Sequence, residues 1–183
     1  MLGVLGGMGP LATVDFLTKL IQETGGVTDQ QHIPTVTWSV PQIPDRSNHI
    51  INGTESPFPE LRRGVLALQS MGASVVVIPC NTAHFWHWRL VESTGVEILH
   101  IADAVVDQLE QIIISNNSAR IVGVLGTTGT ISSGIYQKKL NEADWNTIVP
   151  DHEGQQSLMN GISLAKSGKT KAAKEIFQKN IDS

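Results

Sequence analysis

The sequence has a single cysteine, Cys80, in 183 residues. One cysteine excludes an internal disulfide and is typical of a reducing compartment, so we expect a cytoplasmic protein. No apolar run approaches the roughly 18 residues that a membrane-spanning helix needs. The N-terminus has no basic segment of the kind that opens a signal peptide. These absences predict a protein that is neither embedded in a membrane nor secreted.

Positive charge is also scarce, since the formal net charge is −4 and the isoelectric point is near 5.8. This balance argues against a nucleic-acid partner. The glycines of Gly6–Gly9 form neither G-x-G-x-x-G nor a G-x-x-x-x-G-K-[ST] phosphate loop, which argues against a nucleotide site. His84 and His87 lie three residues apart, but the set of ligands that a metal needs is incomplete around them, and we predict no metal.

What is present is typical of an α/β protein. Strand patterns at 1–5, 35–40 and 75–78 alternate with helical patterns at 11–24 and 58–71. The first helical pattern places Leu11, Val14, Leu17, Leu20 and Ile21 on one face. Shorter patterns of the same kind continue at 96–101 and 102–114. This alternation predicts an open, doubly wound parallel sheet with helices on both faces.

The heptapeptide Gly3–Gly9 has an echo at Gly123–Gly129, because both read G-V-L-G-x-x-G. A helix pattern at 132–142 and a strand pattern at 147–149 follow the second copy. Chance could produce one such match in a chain rich in glycine and valine, but the succession favours an internal repeat. We therefore predict two related α/β domains at residues 1–98 and 99–183. The second is expected to be incomplete, since the counterpart of Cys80 would fall at about residue 200.

Cys80 follows a solid β-branched run, Val75–Ile78, which suits a strand buried on both faces of a parallel sheet. Ligands gather at the carboxyl ends of such strands. Asn81 and Thr82 are able to cap a helix starting at Ala83, and a thiol there would meet N–H dipoles that favour the thiolate. The alternative is a cysteine that acts as a small buried hydrophobe.

Two cationic residues have two interpretations each. Arg46 ends a loop stiffened by Pro41 and Pro44, where it could present a planar fork to a carboxylate, or pair with Asp45 at the surface. Lys166 belongs to a group of late lysines that could be a phosphate-binding patch but would ordinarily form a solvated helix face.

Three motifs together resemble the aspartate/glutamate racemase superfamily, and within it the aspartate racemase branch. They are L-G-G-M-G-P at 5–10, Q-I-P-D-R at 42–46 and P-C-N-T-A-H at 79–84. Weaker support comes from G-T-T-G-T at 126–130 and L-A-K-S-G at 164–168. Glutamate racemases usually open with Asp-Ser-Gly, which this sequence replaces with Leu5-Gly6-Gly7.

The resemblance implies two domains related by a pseudo-two-fold, with an active site between them and neither pyridoxal phosphate nor metal. It implies that Cys80 transfers the Cα proton on one face of aspartate or glutamate, and that the protein is a homodimer. Arg46 and Lys166 would bind the substrate carboxylates. Further expected substrate-binding residues are Met8, Asn81, Thr82, Thr127 and Thr128.

The second cysteine of the family normally lies in a Gly-Cys-Thr-Glu segment, which this sequence lacks. The chain is therefore expected to be a fragment or a shortened form, and inactive by the two-thiol route. Two alternatives remain open at this stage. One is a one-cysteine decarboxylase of malonate-like acids, and the other is a non-catalytic protein that binds dicarboxylates.

Overall fold

A computed structural model of the protein describes residues 1–116 and 119–182. The chain divides into two compact units. The first comprises Met1–His49 and Gly53–Ile101, and the second comprises the chain from Ala102 onward together with Ile50–Asn52. Each unit contains helices and a sheet of parallel strands, which confirms the predicted α/β class.

The first unit is organised around a four-stranded sheet. Its strands are β1 (Leu2–Gly6), β2 (Thr35–Ser39), β3 (Val75–Val77) and β4 (Glu97–Ile98). Their order across the sheet is β2-β1-β3-β4 and every neighbouring pair is parallel. Val4 of β1 lies opposite Thr37 on one side and Val77 on the other. Since the strands run the same way, the segments that follow them meet at one edge of the sheet.

The helices that begin before residue 95 are α1 (Pro10–Thr24), α2 (Arg46–Asn52), α3 (Phe58–Ser70) and α4 (His87–Thr94). Short 3₁₀ helices lie at Asp29–Gln31 and Thr82–Trp86. Local chemistry explains the bounds of α2: the Asp45 carboxylate accepts the Asn48 N–H at 2.7 Å, and Gly53 ends the helix with φ of 66°.

Helix α3 packs against β1 and forms much of the first core. Leu61, Val65 and Leu68 of this helix are fully buried, as are Val4 and Leu5 of the strand. Gly64 lies at the contact, where a Cβ atom would come 2.5 Å from a Leu5 methyl carbon. The absence of a side chain at that position therefore allows the helix to approach the sheet closely.

Helix α1 packs only partly through the apolar face that its sequence displays, where Leu17 and Leu20 are half-buried. Leu11, Val14 and Ile21 are 55%, 61% and 59% exposed, whereas Thr13 is only 3% exposed. Thr13 is hydrogen-bonded to the turn before the helix, which accounts for its burial. The apolar periodicity thus predicts the helix correctly but not which of its residues is the most buried.

The second unit contains β5 (Ile121–Gly123), β6 (Asn146–Ile148), α5 (Ile101–Asn116), α6 (Thr128–Ser133), α7 (Ile135–Glu142), α8 (His152–Lys166) and α9 (Thr170–Asp182). The parallel pair β5-β6 forms the sheet, with Val122 opposite Thr147. Its core contains Val124, Leu140 and Trp145. The single helix expected at 132–142 is instead two helices, because Gly134 adopts φ of 66° and ends α6.

Among the residues that the structure describes, no helix is both long enough and apolar enough to cross a lipid bilayer.

Candidate active site

Three segments of the first unit meet at the carboxyl edge of its sheet. The glycine turn (Gly6–Pro10) follows β1, the loop before Arg46 follows β2, and Ile78–Cys80 follows β3. Because β1 lies between β2 and β3, the glycine turn lies between the other two segments. The Val40 N–H donates to the Gly6 carbonyl at 3.1 Å, which ties the first two segments together. The sheet order thus places Met8, Arg46 and Cys80 at one edge.

The glycine turn has little room for side chains on its inner side. Gly7 has φ of 94°, and a Cβ atom there would lie 2.5 Å from the carbonyl carbon of Val40. The buried hydroxyl of Thr13 accepts the Gly7 N–H at 2.9 Å and donates to the Gly9 carbonyl at 3.2 Å. Sequence reasoning missed Thr13; a polar residue in an otherwise apolar helical turn was the available signal.

The outer side of the same turn is open. Gly9 is the N-cap residue of α1 and provides no side-chain hydrogen bond to the helix. A Cβ atom on Gly9 would meet no atom within 4 Å. The first turn of α1 therefore presents backbone N–H groups that no capping side chain covers, an arrangement suited to an anion.

Arg46 is held by backbone carbonyls rather than by a carboxylate. Its Nη1 donates to Ile43 at 3.0 Å and to Pro44 at 3.1 Å, and its Nη2 donates to Met8 at 3.3 Å. Its Nε is buried and has no hydrogen-bond partner. Asp45 caps α2, so the alternative of a surface pair between Arg46 and Asp45 is wrong. These three bonds fix the orientation of the guanidinium, and the buried Nε remains as a donor without a partner.

Cys80 is a free thiol and is 9% exposed. Its N–H donates to the Ile78 carbonyl at 2.7 Å, across Pro79. Thr82 is buried within the 3₁₀ helix that follows. The prediction that the Asn81 side chain caps this helix is wrong, because Asn81 itself has helical angles (φ −55°, ψ −55°) and makes no side-chain cap bond. Side-chain capping requires an extended backbone at that residue.

The sequence suggests a role for His84 only as a metal ligand, and the incomplete set of ligands argues against that role. In the structure, His84 is hydrogen-bonded to the backbone of Cys80. It is 4% exposed, and its Nδ1 is 2.9 Å from the Cys80 carbonyl oxygen. Burial lowers the pKa of His84 below its ordinary value, and nearby His87 adds to this effect. Among the described residues, no group of three histidine, cysteine or acidic side chains is placed to bind a metal ion.

In the second unit, the predicted residues Thr127 and Thr128 lie together at the start of α6. The Thr127 hydroxyl accepts the Thr130 N–H at 3.2 Å and so caps the helix. Gln155 of α8 donates to the Gly126 carbonyl at 3.0 Å and approaches the Thr128 hydroxyl at 3.4 Å. The Thr128 N–H points at the Met159 sulfur, 3.3 Å away. Sequence reasoning missed Gln155 and Met159, because nothing local relates α8 to this turn.

Lys166 is exposed and lies in the last turn of α8. Gln155 is near the start of the same helix, about 16 Å away along its axis. Within the second unit, Lys166 is therefore not brought to the Thr127–Thr128 turn.

Comparison with known protein families shows where the chain belongs. The family model described as Asp/Glu/hydantoin racemase matches residues 5–183. The chain belongs to this family of racemases.

Individual proteins that resemble the chain are also racemases or racemase homologues. The chain is 31% identical to a broad specificity amino-acid racemase, RacX, of Bacillus subtilis over 91% of its own length and 71% of that protein. Among solved structures it is similar to the aspartate racemase of Picrophilus torridus, with a TM-score of 0.87 and 35% identity over 99% of this chain and 74% of that one. An aspartate racemase homologue from Pyrococcus horikoshii OT3 shares the fold, with a TM-score of 0.66 at 23% identity over 86% of this chain and 67% of that one.

Proposed function

We propose that this chain comes from an amino-acid racemase that acts on aspartate, with Cys80 as the acid–base group on one face of the substrate Cα. The observation that carries the proposal is the position of the chain's single thiol, at the sheet edge that Arg46 and the glycine turn also occupy. The likeness to the Picrophilus aspartate racemase supports aspartate as substrate, and the Bacillus relative supports racemisation more broadly.

The proposed step is a proton transfer. The Cys80 thiolate removes the Cα proton and becomes a thiol, while the electron pair of the C–H bond moves into the substrate carboxylate to give an enediolate. A thiol suits this task because both of its protonation states are accessible near neutral pH. The step needs no electron acceptor, provided that positive groups hold the carboxylate as its charge increases.

Two groups of the first unit are suited to hold that charge. The unpartnered Nε of Arg46 is a buried donor on a guanidinium that three backbone carbonyls already orient. The uncapped first turn of α1 offers backbone N–H groups beside the open face of Gly9. We assign one substrate carboxylate to Arg46 and the other anionic contact to the glycine turn, including the backbone at Met8, with Asn81 and Thr82 beside Cys80.

For the second unit the proposal follows the family resemblance. Thr127 and Thr128 would contribute hydroxyl groups, which the structure already orients through Thr130 and Gln155. The resemblance also assigns Lys166 to a substrate carboxylate, but its place at the far end of α8 keeps it away from the Thr127–Thr128 turn within this unit. We further infer that the protein acts as a homodimer, which light scattering on the purified chain would measure.

The 183-residue chain has one thiol, so we expect exchange on one face of Cα rather than racemisation by two thiols. In deuterated water, one enantiomer of aspartate should gain deuterium at Cα with its configuration retained, followed by NMR. The Cys80→Ala variant should lose this exchange. Arg46→Lys should raise the KM for aspartate about tenfold or more, because a lysine cannot keep the contacts with three backbone carbonyls and also offer a further donor to the substrate.

The matched control is Arg63→Lys, since Arg63 is exposed and pairs with Glu60 on the surface of α3. This variant should exchange like the unaltered protein. Rapid interconversion of L- and D-aspartate by the 183-residue chain would contradict the one-face mechanism. Calorimetric binding of aspartate without any exchange would instead identify a dicarboxylate-binding protein.

A further inference from the structure

The bond between His84 and Cys80 has a definite direction. A backbone carbonyl only accepts hydrogen bonds, so the His84 Nδ1, 2.9 Å from the Cys80 oxygen, must carry the proton. The neutral ring then has its lone pair on Nε2, which is buried and has no hydrogen-bond partner. The geometry therefore specifies one tautomer of His84.

Cys80 is consequently tethered on both sides of its Cα. Its N–H is bound to the Ile78 carbonyl at 2.7 Å, and its carbonyl is bound to His84 at 2.9 Å. Asn81 supplies no side-chain cap to the 3₁₀ helix that begins immediately afterwards. The His84 side chain thus ties the first turn of this helix back to the carbonyl of the residue that carries the thiol.

Neighbouring rings keep His84 in place. The His100 ring lies edge-on to it at 5.0 Å between centroids, and the His87 ring stacks at 6.1 Å. His87 is itself anchored, with Nε2 2.7 Å from the Ile98 carbonyl. Burial lowers the pKa of His84 and so favours its neutral form, and a Coulombic interaction with His87 acts in the same direction. Backbone hydrogen bonds with Cys80, Leu99 and Asn81 act in the opposite direction.

We propose that His84 is a positioning residue: its Nδ1–H, bound to the Cys80 carbonyl, holds the thiol in the orientation that proton transfer at Cα requires. The inference rests on the proposed role of Cys80. His84 itself touches no substrate in this scheme and acts through the backbone of Cys80.

Two substitutions separate positioning from packing. His84→Asn keeps an N–H donor close to the place of Nδ1, and His84→Leu keeps the volume but removes the donor. We expect His84→Leu to lower the kcat of deuterium exchange about tenfold to a hundredfold, the scale on which misplaced groups act. Its KM should change by less than about threefold, and His84→Asn should recover most of kcat. His152→Leu, at an exposed histidine of α8 in the second unit, is the control for loss of an imidazole and should exchange like the unaltered protein.

Alkylation of Cys80 by iodoacetamide supplies a readout that does not depend on racemase activity, because the chain has no other thiol. His84→Leu should alkylate about fivefold faster or more, since the untethered turn exposes the sulfur, and His84→Asn should match the unaltered protein. If exchange is absent from the unaltered protein, the proposed function fails, and alkylation still decides the role of His84.

Three results would overturn the inference. One is a His84→Leu variant with unaltered kcat and alkylation rate, and another is a His84→Asn variant as impaired as His84→Leu. The third applies even if His84→Leu does not fold: ¹⁵N spectra of the unaltered protein showing the His84 proton on Nε2 instead of Nδ1.

Discussion

The two glycine turns have the same sequence pattern but start their helices differently. In the first, Gly9 is the N-cap of α1 and adds no side-chain bond. In the second, the helix begins two motif positions earlier, and the Thr127 hydroxyl caps it. A buried threonine supports each turn, Thr13 at 3% and Thr130 at 1% exposure. The pattern G-V-L-G-x-x-G thus specifies the turn, while the residues between its glycines decide whether the helix N–H groups stay accessible.

The largest expected difference between the turns concerns their glycines. Gly7→Ala should destabilise the protein by about 3 kcal/mol, because the new Cβ would press on the Val40 backbone at a positive φ. Gly126→Ala should cost about 1 kcal/mol, since its Cβ would meet only the Thr130 side chain at 3.2 Å. Urea unfolding measures both.

Gly9→Ala is the control for these substitutions, because no atom lies within 4 Å of the added Cβ. Its free energy of unfolding should stay within about 0.5 kcal/mol of the unaltered value. Equal losses at Gly7 and Gly126 would mean that the first turn is not the tighter of the two.

A smaller effect is expected from the two threonines. Thr13→Val removes the acceptor of the buried Gly7 N–H and should cost about 2 kcal/mol. Thr130→Val removes a hydroxyl contact with Thr127 at 3.0 Å but leaves the cap bond to the Thr130 N–H, so about 1 kcal/mol is expected. Thermal unfolding of both variants measures the two losses of stability. A larger loss for Thr130→Val than for Thr13→Val would contradict this expectation.

The smallest expected effect is in the pH dependence of stability. The pKa of His84 is lowered from 6.5 by burial, so the unfolded chain binds that proton more readily. The free energy of unfolding should therefore begin to fall as the pH decreases below 6.5, and it should continue to fall until the pH has passed the pKa of His84 in the folded protein. In the second unit, hydrogen bonds from Arg120 and Trp145 lower the pKa of Glu110 from 4.5, and this stabilisation is lost only as the pH falls below 4.5.

Urea unfolding across the acid range should distinguish these two windows. His84→Asn should flatten the curve between pH 6.5 and 4.5, and Glu110→Gln should flatten only the part below pH 4.5. A curve for the unaltered protein that is level between pH 4.5 and 6.5 would contradict the assignment to His84.

Local patterns predicted more of the fold than of the site. The run Val75–Ile78 predicts β3 at Val75–Val77, and the echo at Gly123–Gly129 correctly marks the parallel pair of the second unit. The sequence pattern predicts one continuous helix at 132–142, whereas the structure has two. The pattern does not show that Gly134 adopts a positive φ, which ends the first of them. The capping role of Asn81 failed for a similar reason, since backbone angles at one residue depend on what its neighbours bind.

Strand and helix positions and the α/β class were determined by the sequence, because they follow from short-range periodicity and from glycine and proline chemistry. The P-C-N-T-A-H and L-G-G-M-G-P motifs also specified the racemase family. Only the tertiary structure decided that Arg46 reaches the Met8 carbonyl, that Thr13 rather than the leucines of α1 is buried, and that His84 secures Cys80. These contacts depend on the order of strands in the sheet and on three-dimensional packing, which no local pattern encodes.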